Sequence, residues 1–281
     1  MTRTWTSYWY VQEDCGSSPK VLLHSHGSTL IEDSGRFAYA GNSVSHALRP
    51  YCHDTHAHNT LRIDGMQQSQ SPKLATSPRP NSSWTFQVAH DIVQGSMSEY
   101  DGLHGTAKHS RTVYHQRGEF FLIVDVVTSD RPRAIQATWH THPNASVSLA
   151  ADVATIRGVD LATQVASDVH VALIPATGAQ SWNSSKIVKG QRAGVAGATE
   201  DQGWFSEHYS DATPASTLVY DAQMSSSSKR AVFAWLLVVS PTGRPAAASC
   251  VVTDVGAEEV SATVTVAGKA QKVTVPFEPG R

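Results

Sequence analysis

Apolar runs of strand length, broken at short intervals by glycine, proline, serine and aspartate, constrain this chain more than any other feature. Short apolar or alternating runs bounded by turn formers fit β-strands, whereas a helix needs apolar positions recurring every three to four residues over a longer stretch. The candidate strands are Val21–His26, Leu61–Asp64, Trp84–His90, Phe120–Val127, Ile135–His140, Val169–Ile174, Ala231–Val239, Ser249–Val255, Val260–Val266 and Lys272–Phe277. Phe120–Val127 and Ala231–Val239 are apolar at successive positions, so both of their faces need cover, which places them at the centre of stacked sheets. Few stretches support a long helix. The expectation is an all-β fold, a large layered antiparallel β-sandwich over 1–242 with a small β-sheet appendage over 243–281. Gln67–Ser83 reads as a surface loop and Ala176–Gly203 as a segment wrapping an edge of the sandwich.

A chain of 281 residues is long enough to bury a sizeable core. Charged residues make up 16% and the formal net charge is -2, so the chain lacks the basic footprint of a nucleic-acid binder, and any anionic ligand must be met by local Arg, Lys or metal charge. No apolar run approaches the length of a membrane span and no signal peptide is visible. Cys15, Cys52 and Cys250 are too few and too scattered for a metal-binding pattern and read as isolated thiols.

Chemistry concentrates between Leu22 and Gln68, which holds six of the 14 histidines together with Tyr39, Tyr51, Asp33, Asp54 and Asp64. The order of its pieces is distinctive: Asp33-Ser34-Gly35-Arg36-Phe37-Ala38-Tyr39, then His58-Asn59-Thr60-Leu61-Arg62-Ile63-Asp64-Gly65, then His109-Ser110-Arg111-Thr112-Val113 leading into Phe120–Val127. This ordered set, spanning roughly residues 9 to 145, resembles the β-sheet domain of the heparinase II/III family of polysaccharide lyases.

The resemblance implies a supersandwich-like β-region joined in the whole enzyme to an N-terminal α-helical toroid, and cleavage of acidic, uronate-containing polysaccharides by β-elimination. It also implies an extracellular or periplasmic location and, in many members, a bound zinc. Carried over residue by residue, Asp33 and His58 match two zinc-ligand positions. A third ligand in relatives comes from a His-x-His segment upstream, whereas here Gly16-Ser17-Ser18 passes through Pro19-Lys20 directly into Val21-Leu22-Leu23. His24 and His26 are the available substitutes, with His26 the expected third ligand.

β-Elimination needs a base, a group that neutralises the uronate carboxylate and an acid for the departing oxygen. Tyr51, Tyr39 and His58 are the candidate catalytic groups. Arg49 and Arg36 are candidate cations for carboxylate or sulfate, Asn59 is a candidate for substrate binding or for orienting His58, and Trp139 is a candidate sugar-stacking face beside His140 and His142. Arg62 is a further available cation, while Arg111 more simply pairs with an acidic neighbour across the sheet. No toroid is expected within this chain, which leaves a second reading open: a non-catalytic carbohydrate-binding or scaffold remnant of such a lyase, with Trp84, Trp139, Trp182 and Trp204 as stacking surfaces.

Overall fold

The computed structural model describes residues 7–10, 20–38, 48–69 and 83–277. Among them the first strands are β1 (Ser7–Tyr10), β2 (Leu22–Ser25) and β3 (Ser28–Ile31), followed by the short helix α1 (Arg49–His53), a 3-10 turn at Thr55–Ala57 and β4 (Leu61–Ile63). Then come β5 (Ser83–Phe86), β6 (His90–Met97), β7 (Ala107–Gln116), β8 (Phe120–Ser129), β9 (Ala134–His140), β10 (Ser146–Ala150), β11 (Val153–Asp160) and β12 (Ala166–Pro175). The remainder is β13 (Ser184–Lys189), β14 (Trp204–Phe205), β15 (Thr213–Pro214), β16 (Ser216–Gln223), β17 (Arg230–Ser240), β18 (Ala248–Val255), β19 (Glu259–Val266) and β20 (Lys269–Pro276). The fold is all-β, and no helix among the described residues is long and apolar enough to cross a membrane.

Three layers stack. The central one is an 11-stranded antiparallel sheet in the order β1-β2-β3-β11-β12-β17-β8-β7-β6-β5, with β10 added on β11. On one face Phe121, Ile123, Trp235 and Leu237 meet Trp139, Leu218 and Tyr220 of a four-stranded sheet ordered β13-β16-β9-β4. On the other face Leu122, Val124, Leu236 and Val238 meet Val260, Ala262, Val264 and Val275 of the three-stranded sheet β18-β19-β20. The unbroken apolar runs of β8 and β17 follow from this double cover, each fully buried large side chain contributing about 1.5–3 kcal/mol. The terminal three-stranded sheet thus shares a core with the main sheet.

The expected strands recur with small shifts of their ends, except that Trp84–His90 is two strands, β5 and β6, joined through a turn in which the Gln87 N–H donates to the His90 carbonyl over 2.9 Å. Strands β3, β10, β11, β13 and β16 lie outside the expected set, as does the full extent of β7 around His109. The polar alternation of β7, Ala107–Gln116, reflects a buried ion cluster that one-sided patterning does not anticipate, and Ala176–Gly203 contains β13, which forms the edge of the four-stranded sheet. Most of the loop expected at Gln67–Ser83 lies outside the described residues.

Candidate functional site

Where β3 ends, the chain turns sharply at Asp33-Ser34-Gly35. Asp33 Oδ1 accepts the Gly35 N–H over 3.1 Å, closing an Asx turn. Gly35 has φ +78°, and a Cβ there would run into the carbonyl oxygen of Ser206, so this position requires glycine on both counts. The Ser206 N–H in turn donates to the Ser34 carbonyl over 2.8 Å, laying a far-downstream segment against the turn. Pro50 in the first turn of α1 pre-sets the helix, which buries Tyr51 and Cys52, and Asp54 caps the following 3-10 turn by accepting the His56 N–H. His58 leaves that turn in extended conformation and reaches Asp33.

His58 Nδ1 lies 2.7 Å from Asp33 Oδ2, with the two side chains 9% and 18% exposed. Burial by itself would raise the Asp33 carboxyl, but the neighbouring His58, Lys20 and His140 outweigh it and hold the group well below the usual carboxylate range. An ionised Asp33 only accepts, so His58 carries a proton on Nδ1. Nε2, the lone-pair nitrogen, has no hydrogen-bond partner among the described residues. Beside the pair, burial pushes the Glu32 carboxyl up to about 7, opposed by the Asp33 N–H that its Oε1 accepts over 3.0 Å and reinforced by the Asp33 charge.

Asn59 ties the surrounding segments together. Its Nδ2 donates to the Val21 and Glu32 carbonyls, each over 2.8 Å, and its Oδ1 accepts the His140 N–H over 2.6 Å and the His140 Nδ1–H over 3.0 Å. His140 is therefore the Nδ1–H tautomer, and burial lowers it to about 3, so it is a neutral core histidine. Its Nε2 meets Gln202 Nε2 at 3.3 Å, and the same Gln202 nitrogen donates to the His56 carbonyl. Behind Asn59, Arg111 donates through Nη1 to the Asn59 carbonyl and grips Asp125 through Nε and Nη2 at 2.6 and 2.9 Å, while His109 Nε2 lies 2.7 Å from the same carboxylate. Arg111 is thus a buried cation paired across β7 and β8.

Two cations, Arg36 and Arg49, lie within electrostatic reach of His53, which also feels His58. Arg36 is exposed, and Arg49 is partly buried and donates through Nε to the Ala38 carbonyl over 3.2 Å. Burial depresses the His53 ring first, and the positive fields of Arg49 and Arg36 depress it further. The histidine cluster in the sequence hinted at His53 and His56, whereas Gln202 and Ser206, far downstream, carried no signal.

Other sequence candidates fall elsewhere. Tyr39 lies outside the described residues. Tyr51 is 3% exposed, its hydroxyl accepts the Gly203 N–H over 3.3 Å, and burial raises it above the usual phenol range, so it is a protonated group closed off from substrate. His26 occupies the β2–β3 hairpin turn at φ +51° and is exposed. The length of β3, on the order of 13 Å at ~3.3 Å per residue, separates that turn from the Asp33 end, so the structure does not bring His26 to Asp33 and His58. His24 instead pairs with Thr29 Oγ1 at 3.0 Å. Trp139 is fully buried against Trp235, with ring centroids 5.3 Å apart, because β9 turns it into the core, and it offers no face to a sugar. Trp182 stacks on Phe233, Trp204 donates its indole N–H to the Gln191 carbonyl, and only Trp84, on the edge strand β5, is widely exposed. Arg62 is held by Glu200 at 2.7 Å.

Among the described residues no group of three or more His, Cys, Asp or Glu is disposed to hold a metal ion. Among the described residues Asp33 and His58 are therefore the two matched ligand positions that come together, hydrogen-bonded to each other.

Comparison with known proteins bears on this arrangement. A heparin-sulfate lyase of Bacteroides stercoris is 25% identical over 129 residues, which are 46% of this chain and 17% of that protein. A solved heparinase III superposes with a TM-score of 0.70 at 15% identity, covering 93% of this chain and 36% of the other. The heparan sulfate lyase HepC of Pedobacter heparinus gives a TM-score of 0.70 at 14% identity, covering 95% and 37%. The chain thus corresponds to little more than a third of the solved chains it resembles. Residues 11–236 match the family described as Heparinase II/III-like, C-terminal, which is well over half of the chain, and the chain belongs to that family.

Proposed function

We propose that this chain forms the β-sheet wall of a lyase site that acts on uronate-containing polysaccharides of the heparan sulfate kind by β-elimination. The 2.7 Å contact between Asp33 and His58 carries the reading. An ionised carboxylate that holds Nδ1–H leaves Nε2 aimed as a proton acceptor and stabilises the imidazolium once the proton has moved, the same division of labour as in any carboxylate-oriented histidine. Arg36 and Arg49 supply positive charge near the dyad, suited to the carboxylate or sulfate of the sugar and to the charge that grows as the α-proton leaves. Orientation of the dyad comes from Asn59, which anchors the backbone on both sides of it.

The remaining catalytic groups are assigned to an α-helical partner domain, in keeping with solved relatives much longer than this chain. Asp33 and His58 would hold a zinc ion only weakly, because two protein ligands are one short of the usual set. A polymeric, highly charged substrate fits an extracellular or periplasmic setting.

The test is formation of unsaturated uronate, read as ultraviolet absorbance, on heparan sulfate. The chain is assayed alone and with the α-helical domain of a heparinase III supplied in trans. Little product from the chain alone, product with the helical domain, and its loss in His58→Ala support the reading. Binding of the polysaccharide without turnover in either format would support a carbohydrate-binding role instead, and full turnover by His58→Ala would refute the dyad.

A further inference from the structure

A groove of about 200 Å³ lies beside the Asp33 turn, walled by Arg36 and Phe37 on one side and by Ser206, His208 and Tyr209 on the other. At ~30 Å³ per water this is room for about seven waters, the scale of one hexose ring. Tyr209 is 59% exposed, a large aromatic side chain at the mouth of the groove. The wall is fastened at both ends to the segment that follows Asp33, through Ser206 N–H to the Ser34 carbonyl at 2.8 Å and Ser210 N–H to the Phe37 carbonyl at 2.7 Å. Within it, Ser206 Oγ donates to the His208 carbonyl over 3.2 Å, which stiffens the bend.

We infer that this groove is a sugar subsite, in which one pyranose ring of an acidic glycan stacks on Tyr209 while its carboxylate or sulfate meets the Arg36 guanidinium. The inference rests on the reading of the Asp33–His58 face as an acidic-glycan site and deepens it by naming a specificity-determining residue, Tyr209, that is distant in sequence from the motifs. An aromatic face takes the apolar side of a pyranose ring, and an adjacent guanidinium fixes which ring edge points inward, since it pairs in bidentate fashion with planar anions. Glu207, on the same wall, acts on His142 and makes the groove selective, because an anion displaced toward it is repelled.

Calorimetric titration with a size-fractionated heparan sulfate hexasaccharide tests the assignment on the whole chain. Tyr209→Ala is expected to weaken binding by about fivefold to tenfold, the scale of one lost aromatic contact, and Tyr209→Phe to stay within about twofold of the parent. Arg36→Ala should weaken the sulfated hexasaccharide and its unsulfated, uronate-only counterpart alike if the carboxylate is the group held, and the sulfated one more if it is the sulfate. Trp84→Ala, an exposed aromatic on the far side of the main sheet, should change nothing. Thermal melting of each variant shows that the exposed substitutions leave the fold intact. Parent-like binding by Tyr209→Ala, with binding still lost in Arg49→Ala, overturns the subsite but leaves the acidic-glycan site standing. Weakening by Trp84→Ala in place of Tyr209→Ala moves the sugar to the sheet edge and overturns it as well. Failure of the parent chain to bind either hexasaccharide at millimolar concentration removes the acidic-glycan reading itself.

Discussion

Replacing Asn59 by alanine probes the joint on which the candidate site is built. The side chain is fully buried and makes four hydrogen bonds, to the Val21 and Glu32 carbonyls and to the His140 N–H and Nδ1–H. Alanine leaves all four partners in the interior without that contact. An unsatisfied buried polar group costs about 1–3 kcal/mol, and carbonyls with a second lone pair sit at the low end, so about 1 kcal/mol per lost bond gives roughly 4 kcal/mol in total. Small domains are stable by about 5–15 kcal/mol, so the chain stays folded but much weakened. Urea unfolding at neutral pH measures it, with an unchanged slope showing that the midpoint shift is a stability change. Thr138→Val is the internal yardstick, since it removes one bond, Thr138 Oγ1 to the His58 carbonyl at 2.7 Å, and should cost about 1 kcal/mol. Asn59→Asp should be at least as damaging as alanine, because a carboxylate oxygen would then face two carbonyl oxygens. If Asn59→Ala costs no more than Thr138→Val, Asn59 is not the joint described and the support of the dyad must come from elsewhere.

Three further outcomes are expected. Arg111→Met should cost about 3–5 kcal/mol by leaving the Asp125 carboxylate buried without its guanidinium, whereas Arg111→Met with Asp125→Leu should cost less than the single change; a double variant worse than the single would show that the ion pair itself stabilises the sheet. Stability should fall on acidification below pH 6.5, because His140, lowered to about 3 by burial, and His109, also lowered by burial, stay neutral in the fold while the unfolded chain takes up protons, each contributing up to about 1.4 kcal/mol per pH unit. Glu32, raised to about 7 by burial, acts in the opposite sense between pH 4.5 and 7, so Glu32→Gln should steepen the loss, and a flat profile in that variant would contradict the assignment. Below the ordinary carboxylate range, protonation of Asp125 and Asp33, both held low by their partners despite burial, should complete acid unfolding. Zinc titrated into chelator-stripped chain should bind weakly and be lost in His58→Ala; tight one-to-one binding abolished by His26→Ala would place His26 at the site after all.

The strand content, the two-sided apolar runs at Phe120–Val127 and Ala231–Val239, and the motif residues Asp33 and His58 were all legible in the sequence, because each is written in residues close together along the chain. A strand that is covered on both faces must be apolar at every position, and an Asx turn that approaches another backbone needs an Asp followed two residues later by a glycine. The partners of those residues were not legible. That Trp139 faces the core, that Tyr51 lies closed beneath Gly203, and that His26 sits at the wrong end of β3 depend on strand register and on which strands become neighbours. A shift of one residue in register turns every side chain of a strand to the opposite face, and nothing local to the strand records which pairing wins. The contacts from Gln202 and Ser206 join the site from more than 140 residues away in sequence, so only the closed packing of the sheets decided that they belong to it.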